Sequence, residues 1–317
     1  MLHIQNILFT TDFSICAESA FSEAAYLAAQ FNSTLHVLHV QVGATMPEDN
    51  PLNYFPLEGS PDEARKLTVG ERLRAAIEAR DEEDVKMIPA QVRESSEIRG
   101  ILNYAEANNV DLIVMGTHGR TGMGRVFIGS IAEKVVQQAK CPVFTVRERP
   151  ENTGKTAIKR ILVPFDFSSH ATLALKYARE LALTYQAAVD LYHVVPDLSL
   201  PQVYSMEPYM TALPDVKERC REAMKDLAVE YFRPDTACNV VVESGNPPRE
   251  IIEFAKVNSV DLIVIATHGL TGFQHLLLGS VTEKVVRQAP CPVFTVHSFG
   301  RQPFSAGIEV SAIEEAT

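Results

Sequence analysis

The chain has 317 residues, enough for two hydrophobic cores, and carries 29 Lys and Arg against 40 Asp and Glu, a net charge of −11. This acidic balance argues against broad electrostatic binding to nucleic acid or anionic lipid. The five cysteines are scattered without a CxxC pair, which indicates neither a disulfide framework nor a structural zinc site and is typical of the reducing cytoplasm.

The first half of the chain alternates predicted strands with predicted helices. Its opening, MLHIQNILFTTDFS, predicts a strand rather than a signal peptide, and no apolar run reaches the roughly 20 residues of a membrane helix. In chain order, we predict strands at 6–11, 34–40, 85–92, 112–115 and 142–146, and helices at 17–31, 64–79, 96–108 and 129–139. The stretch 41–62 is rich in Pro, Gly, Asn and acidic residues and predicts a long loop.

The second half repeats this order after a polar linker at 148–157, so we predict domains at 1–147 and 158–297. The segment 160–168 matches 6–14, and we predict further strands at 189–195, 238–243, 262–265 and 292–296, a loop at 196–214, and helices at 218–231, 248–258 and 280–289. The tail at 298–317 has no periodicity, and the sequence does not choose between disorder and docking across a neighbour.

One stretch of the first half recurs in the second without a gap. Residues 110–146 read VDLIVMGTHGRTGMGRVFIGSIAEKVVQQAKCPVFTV, and residues 260–296 match them at a distance of 150 positions. In the first copy a buried strand runs into Gly116 and Gly119, and Gly129 and Ser130 open a helix. Glycines allow backbone N–H groups to approach an anion, and a helix N-terminus adds unpaired N–H groups, so this junction predicts a phosphate site.

The order of elements predicts an α/β fold in which each half is a doubly wound, mostly parallel five-stranded sheet. Ligands on such sheets lie beyond the carboxyl ends of the strands, where Asp12, Val40 and Gly116 fall. The apolar PVFTV segments at 142–146 and 292–296 would form uncovered edges, so we expect them to pair the halves into an intramolecular pseudo-dimer.

These residues resemble the universal stress protein family, here as a tandem pair. Its nucleotide-binding members share Gly, two residues, Gly, nine residues, Gly, then Ser or Thr, and Gly116, Gly119, Gly129 and Ser130 fit this pattern. The resemblance covers nearly all of both halves and implies the Rossmann-like, adenine nucleotide alpha hydrolase-like fold. It also implies a site in which the acid after the first strand holds the ribose, strand ends flank the adenine, and the glycine loop takes the phosphates.

Carried onto this chain, the resemblance implies a cofactor site in each half. In the first, the residues are Thr10, Thr11, Asp12, Val40, Met115, Gly116, Gly119, Arg120, Arg125, Gly129, Ser130 and Ile131. In the second, they are Pro164, Asp166, Val194, Ile265, Ala266, Gly269, Gly279, Ser280 and Thr282. The implied cofactor is ATP, with Mg²⁺ held through its phosphates and no dedicated metal site.

Two departures from the family pattern separate the halves. Thr10 stands where the family commonly has proline, which affects the edge of the adenine pocket. Ala266 replaces the first glycine, and we expect its methyl group to take space at the phosphates and to forbid a positive φ. Between Gly119 and Gly129 the first half contains Arg120 and Arg125. The equivalent stretch of the second half contains Leu270, Gln274 and His275. We therefore expect ATP in the first half, and AMP, another ligand or none in the second.

Several candidate residues have simpler structural interpretations. Asp12 and Asp166 are also suited to capping the helix that follows them. His118 and His268 lie in the THG tripeptides and are interpreted as loop histidines that bond to backbone, and His36, His39 and His193 as packing residues. Cys141 and Cys291 precede prolines and are expected to be small buried residues, and Arg125 is also compatible with a solvated surface charge.

The leading hypothesis is a cytoplasmic stress-response protein that binds adenine nucleotide and acts as a regulatory or interaction module. The second is a slow ATP hydrolase, although the chain lacks a Walker-type GxxxxGK[ST] and an evident general base. The third is a nucleotide-free scaffold for a non-nucleotide ligand, suggested by Tyr54, Phe55, Tyr204, Met206, Tyr209 and Met210 in the predicted loops. The protein partners are not identified by the sequence, and further pairing of chains into a homodimer fits the resemblance.

Overall fold

The structure of the chain is a computed structural model that describes residues 2–43, 69–78, 85–117, 128–147, 158–196, 207–232, 234, 236–267, 278–297 and 303–304. The first half contains β1 (Asn6–Thr10), α1 (Ile15–Phe31), β2 (Thr34–Val42), α2 (Val69–Glu78), β3 (Met87–Glu94), α3 (Glu97–Ala107), β4 (Leu112–Gly116), α4 (Ser130–Gln138) and β5 (Val143–Val146). The second contains β6 (Arg160–Pro164), α5 (Ser169–Tyr185), β7 (Ala188–Pro196), α6 (Glu207–Tyr231), β8 (Cys238–Gly245), α7 (Pro247–Val257), β9 (Leu262–Ala266), α8 (Ser280–Gln288) and β10 (Val293–Val296).

All ten of these strands form one sheet in the order β3-β2-β1-β4-β5-β10-β9-β6-β7-β8. Within each half the neighbouring strands are parallel, and the contact between β5 and β10 is antiparallel. The predicted pair of doubly wound sheets is therefore confirmed, with the addition that the two sheets are continuous. The strand direction reverses at the β5–β10 contact. The carboxyl ends of the strands of one half therefore lie on the side of the sheet where the strands of the other half have their amino ends.

Helices cover both faces of the sheet and divide the interior into two cores. One core is built by α1, α2, α5 and α6, with Ala24, Leu73 and Met224 among its members. The other is built by α3, α4, α7 and α8 and includes Val135 and Val285. Central strands are buried on both faces, which explains why segments such as LIVMG at Leu112–Gly116 are continuously apolar rather than alternating.

The seam between the halves is a short ladder of β5 and β10 in which Phe144 faces Phe294. The two rings are fully buried, with centroids 5.9 Å apart. Two buried hydroxyl groups extend the ladder across the seam: Thr145 donates to the carbonyl of Val293 at 3.1 Å, and Thr295 donates to the carbonyl of Val143 at 3.0 Å. The pairing predicted for the PVFTV segments is thus confirmed, and it removes both free edges.

Helix α6 begins earlier than the sequence predicted. Residues 207–214 belong to the predicted loop at 196–214, but α6 runs from Glu207 to Tyr231. Pro208 lies in the first turn, where its missing N–H has no intrahelical acceptor, so it is compatible with the helix. Pro214 removes one interior hydrogen bond, a loss the helix tolerates. In the first half the predicted helix at 64–79 appears as α2 over Val69–Glu78, and the remainder lies outside the described residues.

Residues 303–304 pair with the first residues of the chain. The backbone N–H of His3 donates to the carbonyl of Pro303 at 2.7 Å, and Leu2 and Phe304 form an antiparallel bridge. The Phe304 ring packs edge-on against Tyr177 of α5, with 4.8 Å between centroids. Residues 303–304 are therefore docked on the rest of the chain, and the remainder of the tail lies outside the described residues.

Among the helices that the structure describes, none combines the length and the hydropathy required to cross a membrane.

The seam predicts a large effect for one substitution. Phe294→Ala is expected to lower the free energy of unfolding by about 3–5 kcal/mol, because it leaves a cavity in a ladder that both halves share. Urea denaturation followed by circular dichroism measures the change. The control is Val257→Ala on α7, whose side chain is 70% exposed and whose loss should change stability by no more than about 0.5 kcal/mol. Equal effects of the two substitutions would contradict a structural role for the seam.

Candidate functional site

A cavity lies at the carboxyl ends of the strands in each half, as expected for a doubly wound sheet. The first has a volume of about 490 Å³ and is lined by Thr10, Thr11, Asp12, Ala17, His39, Val40, Gln41, Val42, Glu97, Ile101, Met115, Gly116, Thr117, Gly129, Ser130, Ile131 and Ala132. The second has a volume of about 330 Å³ and is lined by Pro164, Phe165, Asp166, Ala171, Tyr192, His193, Val194, Pro196, Pro247, Ile251, Ile265, Ala266, Gly279, Ser280, Val281 and Thr282.

The residues that the sequence analysis assigned to the two sites fall into these cavities wherever the structure describes them. Gly119, Arg120, Arg125 and Gly269 lie outside the described residues, as do His118 and His268. The sequence analysis did not single out Gln41, Val42, Glu97, Ile101, Thr117 or Ala132, which also line the first cavity. Glu97 and Ile101 lie on α3, whose closeness to the site depends on packing between helix and sheet rather than on a motif.

The turn between β1 and α1 presents Asp12 to the first cavity. Its Oδ1 accepts the backbone N–H of Ser14 at 3.0 Å, and the intervening Phe13 has a φ of 62°. A non-glycine residue in the left-handed region is uncommon and concentrates at functional sites. The cap of α1 is Ser14, whose Oγ accepts the N–H of Ala17 at 3.3 Å. Helix capping by Asp12 is therefore wrong, because Ser14 occupies that position.

The second half repeats the turn. Asp166 Oδ1 accepts from the backbone N–H and the hydroxyl of Ser168 at 3.1 and 2.6 Å, and Phe167 has a φ of 64°. Ser168 in turn accepts the N–H of Ala171 at 3.1 Å and caps α5. Both aspartates thus hold the same local geometry at the mouth of a cavity, and neither caps a helix.

Each cavity also contains a histidine from the end of the second strand of its half. His39 Nδ1 lies 2.8 Å from the carbonyl oxygen of Thr11, and His193 Nδ1 lies 2.7 Å from that of Phe165. Since a carbonyl only accepts, Nδ1 carries the proton and Nε2 is the acceptor in the neutral ring. Their rings also pack against Phe13 and Phe167, with 5.0 and 4.9 Å between centroids, so the interpretation as packing residues is confirmed, and only their place in the cavity linings was not predicted. Their recurrence 154 positions apart was the available signal.

The first turn of α4 provides main-chain amides to the same cavity as Asp12. Its N-cap is Gly129, which has no side chain to cap the helix, and the N–H of Gly129 itself donates to the Thr117 carbonyl at 2.6 Å. Ser130 and Ile131 follow in the cavity wall. The second half has the same arrangement, with Gly279 donating to Thr267 at 2.7 Å. Amides of a helix without a side-chain cap, at the positive end of its dipole, form a suitable anion site.

Gly116 has a different role from the one inferred from the sequence. A methyl group at this position would lie 3.0 Å from Cys16 Sγ and 3.1 Å from the Cys16 carbonyl carbon. It would therefore meet α1, and Gly116 is not among the described residues with positive φ. The expectation of a positive φ at this position is wrong, and the expected loss of space at the phosphates stays a prediction. Glycine is required by the close approach of β4 and α1, and Ala266 does not by itself close the second cavity.

Glycine also brings α3 to the base of the first cavity. A methyl group on Gly100 would lie 2.5 Å from Val40 Cγ1, so the absence of a side chain lets α3 pack directly on the end of β2. This approach places Glu97 and Ile101 of α3 beside Val40 in the lining. The apolar side of the cavity is thus formed jointly by β2, β4 and α3.

The ionisable Asp, Glu, Lys and Arg side chains in the described lining of the first cavity are all acidic. Its lining contains the carboxylates Asp12 and Glu97, and no Lys or Arg occurs among the described lining residues. The described part of the chain contains no cluster of three or more His, Cys, Asp or Glu side chains that could hold a metal ion. In the described lining, main-chain amides and hydroxyl groups are therefore the donors available to an anion. The carboxylates are the acceptors available to a hydroxyl group of a ligand.

Away from the cavities, the other candidate residues have structural roles. His36 forms hydrogen-bonding contacts with the Tyr104 hydroxyl at 3.0 Å and Asn6 Oδ1 at 3.4 Å, and burial together with nearby Lys86 lowers its pKa. Cys141 and Cys291 are buried as expected, and burial raises the pKa of Cys291 to about 12, which keeps it a thiol. All five cysteines are free.

Comparison with known proteins identifies the repeated unit. Residues 3–147 and 157–297 each match the model of the Universal stress protein family. A universal stress protein of Methanocaldococcus jannaschii is 34% identical over 146 residues, covering 45% of this chain and 84% of that protein. One of Mycobacterium tuberculosis is 25% identical over 289 residues, covering 90% of this chain and 95% of that protein.

Two solved structures superpose on this chain along nearly its whole length. The crystal structure of a universal stress protein from Archaeoglobus fulgidus superposes with a TM-score of 0.61 at 20% identity, covering 92% of this chain and 98% of that one. A functionally unknown protein from Pseudomonas aeruginosa superposes with a TM-score of 0.65 at 19% identity, covering 93% and 92%. Both share the tandem fold along nearly their whole length.

The packing of Gly116 predicts how its substitution acts. Gly116→Ala is expected to lower the free energy of unfolding by about 1–3 kcal/mol, because β4 and α1 must separate to admit the methyl group. The matched control is Gly70→Ala in α2, where an added methyl group meets nothing within 4 Å, and stability should be unchanged or rise by up to about 1 kcal/mol. Urea denaturation of both variants measures the difference. An unchanged stability of Gly116→Ala would contradict this interpretation.

Proposed function

The chain belongs to the universal stress protein family, and on that premise we propose that its first cavity binds an adenine nucleotide, with ATP preferred. The observation that carries this proposal is that a carboxylate and a helix N-terminus without a side-chain cap line the same cavity of about 490 Å³. Binding sites for small molecules have volumes of roughly 300–1,000 Å³, so the cavity is of suitable size.

In this proposal Asp12 holds the ribose. One of its carboxylate oxygens accepts from Ser14, which fixes the side chain in the cavity wall before a ligand arrives. Ribose hydroxyl groups donate to a carboxylate, and such charge-assisted hydrogen bonds are stronger than neutral ones. Val40, Ile101 and Met115 supply the apolar surface against which the adenine ring packs.

The phosphates would lie at the first turn of α4. Main-chain amides after Gly129 and the hydroxyl groups of Ser130, Thr10 and Thr11 are donors in the lining of the cavity. Since Asp12 and Glu97 make the described lining acidic, a polyphosphate needs additional positive charge. We assign that charge to Mg²⁺ bound through the phosphates and to Arg120 and Arg125, which precede Gly129 in the sequence.

The position of α4 suggests how binding would reach the rest of the molecule. Glu133, in its first turn, accepts two hydrogen bonds from Arg287 of α8 at 2.8 and 3.1 Å. A ligand that orders the start of α4 therefore acts directly beside a contact between the halves. In this proposal the protein is a cytoplasmic regulatory module whose conformation or protein interactions respond to the bound nucleotide.

Titration with ATP and Mg²⁺ tests the proposal. ATP at one hundred times its dissociation constant should raise the free energy of unfolding by about 2.7 kcal/mol. Asp12→Asn should weaken ATP binding by about 10- to 100-fold, because the ribose loses a charged acceptor while the Asn oxygen can still accept from Ser14. Isothermal titration calorimetry measures both proteins.

The control for this experiment is Glu106→Gln, which removes a carboxylate that is 67% exposed and paired with Lys140 away from the first cavity. Its ATP affinity should equal that of the wild-type protein. If ATP neither binds nor stabilises the wild-type protein at millimolar concentration, the proposed function is wrong. Equal losses in Asp12→Asn and Glu106→Gln would instead mean that net charge, and not the cavity, determines binding.

A further inference from the structure

Three polar side chains meet in the first half at the amino ends of its strands, and none of them lines the first cavity. We call Asn6 of β1, His36 of β2 and Tyr104 of α3 the amino-end cluster. His36 is buried, with 6% of its surface exposed, and its ring nitrogens lie 3.0 Å from the Tyr104 hydroxyl and 3.4 Å from Asn6 Oδ1. The His36 and Tyr104 rings also pack edge-on, with 5.8 Å between centroids. A histidine thus connects α3 to two strands of the sheet.

The two partners of His36 define the neutral form of its ring. An amide oxygen only accepts, so Nε2 carries the proton and donates to Asn6, and Nδ1 accepts from the Tyr104 hydroxyl. Burial raises the pKa of Tyr104, which keeps it an uncharged phenol. Among the residues that the structure describes, no carboxylate forms an ion pair or a hydrogen bond with His36. A second proton on the ring would therefore create a buried positive charge without a counter-charge.

Two charged groups lie close to the cluster. Lys86, which precedes β3, is exposed, and its charge disfavours a positive charge on His36. Asp111 is engaged by the main chain, because its Oδ2 accepts the backbone N–H groups of residues 5 and 6 at 2.8 and 3.0 Å. Asp261 makes the same contacts at the start of β6 in the second half. The aspartate is therefore common to both halves and does not distinguish them.

The second half replaces every member of the cluster. The residues at the equivalent positions of β6, β7 and α7 are Arg160, Asp190 and Phe254. Arg160 Nε donates to Asp190 Oδ2 at 2.5 Å, and Asn239 donates to Asp190 Oδ1 at 3.2 Å. The guanidinium also lies 5.9 Å from the centre of the Phe254 ring. Histidine is the side chain whose ordinary pKa lies between 5 and 8, and the second half has an ion pair in its place.

The exposed charge beside the cluster also differs between the halves. The carbonyl of Lys86 accepts the N–H of Leu35 at 2.9 Å, and the carbonyl of Ala237 accepts the N–H of Val189 at 2.8 Å. Ala237 therefore stands in the second half where Lys86 stands in the first. The first half thus combines a buried histidine with a neighbouring cation, and the second half has neither residue type at the equivalent positions.

The surroundings of His36 set the direction in which acid acts. Burial and, to a smaller extent, Lys86 lower the pKa of His36 below its ordinary value of about 6.5. A locally opened chain has the ordinary value, so it takes up the proton first as the pH falls. Above pH 6.5 the ring is neutral in both forms and does not affect opening. Below about pH 6.5 opening becomes about tenfold more favourable for each pH unit, until the pKa of the folded form is reached.

We propose that the amino-end cluster is an acid-sensitive switch, which holds α3 on β1 and β2 at neutral pH and opens when His36 takes up a proton, while the second half stays closed. The other end of α3 carries Glu97 and Ile101, which line the first cavity. Opening of α3 therefore alters that cavity, whichever ligand it takes. The inference does not depend on the proposed function, because no nucleotide takes part in the switch.

Hydrogen exchange measured by mass spectrometry compares the two halves in one sample of the full, unliganded chain. Exchange is followed between about pH 7.5 and about pH 5 and is expressed as protection factors, which remove the pH dependence of the chemical exchange rate. Protection of β2, β3 and the C-terminal half of α3 is expected to fall by about tenfold per pH unit below about 6.5, relative to β7, β8 and the C-terminal half of α7. Equal falls in the two halves, or no fall in the first, would overturn the proposal.

A pair of histidine variants assigns the effect to the cluster. His36→Gln removes the titrating ring and keeps a neutral side chain that can donate and accept, so its two halves should respond equally to acid. His3→Gln is the matched control, because His3 is an exposed histidine just before β1, and the fall in the first half should persist. A fall that persists in His36→Gln would mean that another group is responsible, and the proposal would be wrong. Far-ultraviolet circular dichroism at neutral pH verifies that each variant is folded.

Titration of the His36 ring by nuclear magnetic resonance leaves the buried site unchanged. In the wild-type chain His36 is expected to titrate below about pH 6.5. Lys86→Ala, which introduces the residue of the second half, is expected to raise that midpoint and to reduce the acid-induced loss of protection. A wild-type midpoint at or above about 6.5, or a midpoint that Lys86→Ala leaves unchanged, would contradict the switch. Failure of the chain to bind ATP, by contrast, bears only on the proposed function.

Discussion

The antiparallel ladder between β5 and β10 is the interaction on which the rest of the structure depends. Without it, each half would expose a four-residue apolar edge, and the two sheets would have no common core. Because the strands of the two halves run in opposite directions across the ladder, the two cavities lie at opposite ends of the strands of one sheet. It also brings α4 and α8 together, where Glu133 and Arg287 meet. The two sites are therefore distant in position but joined through the helices that begin at them.

Within each half, the site depends on local geometry that the fold imposes at strand ends. A residue in the left-handed conformation turns the chain after β1 and after β6, which holds Asp12 and Asp166 in the cavity walls while the following serine caps the helix. The histidines at the ends of β2 and β7 bond to the same turns. Carboxylate, imidazole and helix amides are thus positioned by hydrogen bonds within the protein, and a ligand finds these groups already oriented.

Much of the fold could be predicted from the sequence, because buried parallel strands and the repeat leave strong patterns. The seam was predictable for the same reason, since an apolar edge needs a partner. The start of α6 was not, because Pro208 and Pro214 signal a break, whereas the helix runs without interruption from Glu207 to Tyr231. The role of Gly116 was also missed, because a motif shows that glycine is required but not which neighbour requires it. The packing of His39 was predicted, but its place in the cavity lining was not, because a histidine on a strand gives no indication of its face.

The central claim is that main-chain amides at the start of α4 bind the phosphates of a nucleotide whose ribose is held by Asp12. The most direct measurement is amide chemical-shift mapping by nuclear magnetic resonance during titration with ATP and Mg²⁺. The amides of Gly129, Ser130 and Ile131 are expected to shift together with those around Asp12, whereas those of β8, at the outer edge of the other half, stay unchanged. Shifts that cluster elsewhere, with the first turn of α4 unaffected, would contradict this claim.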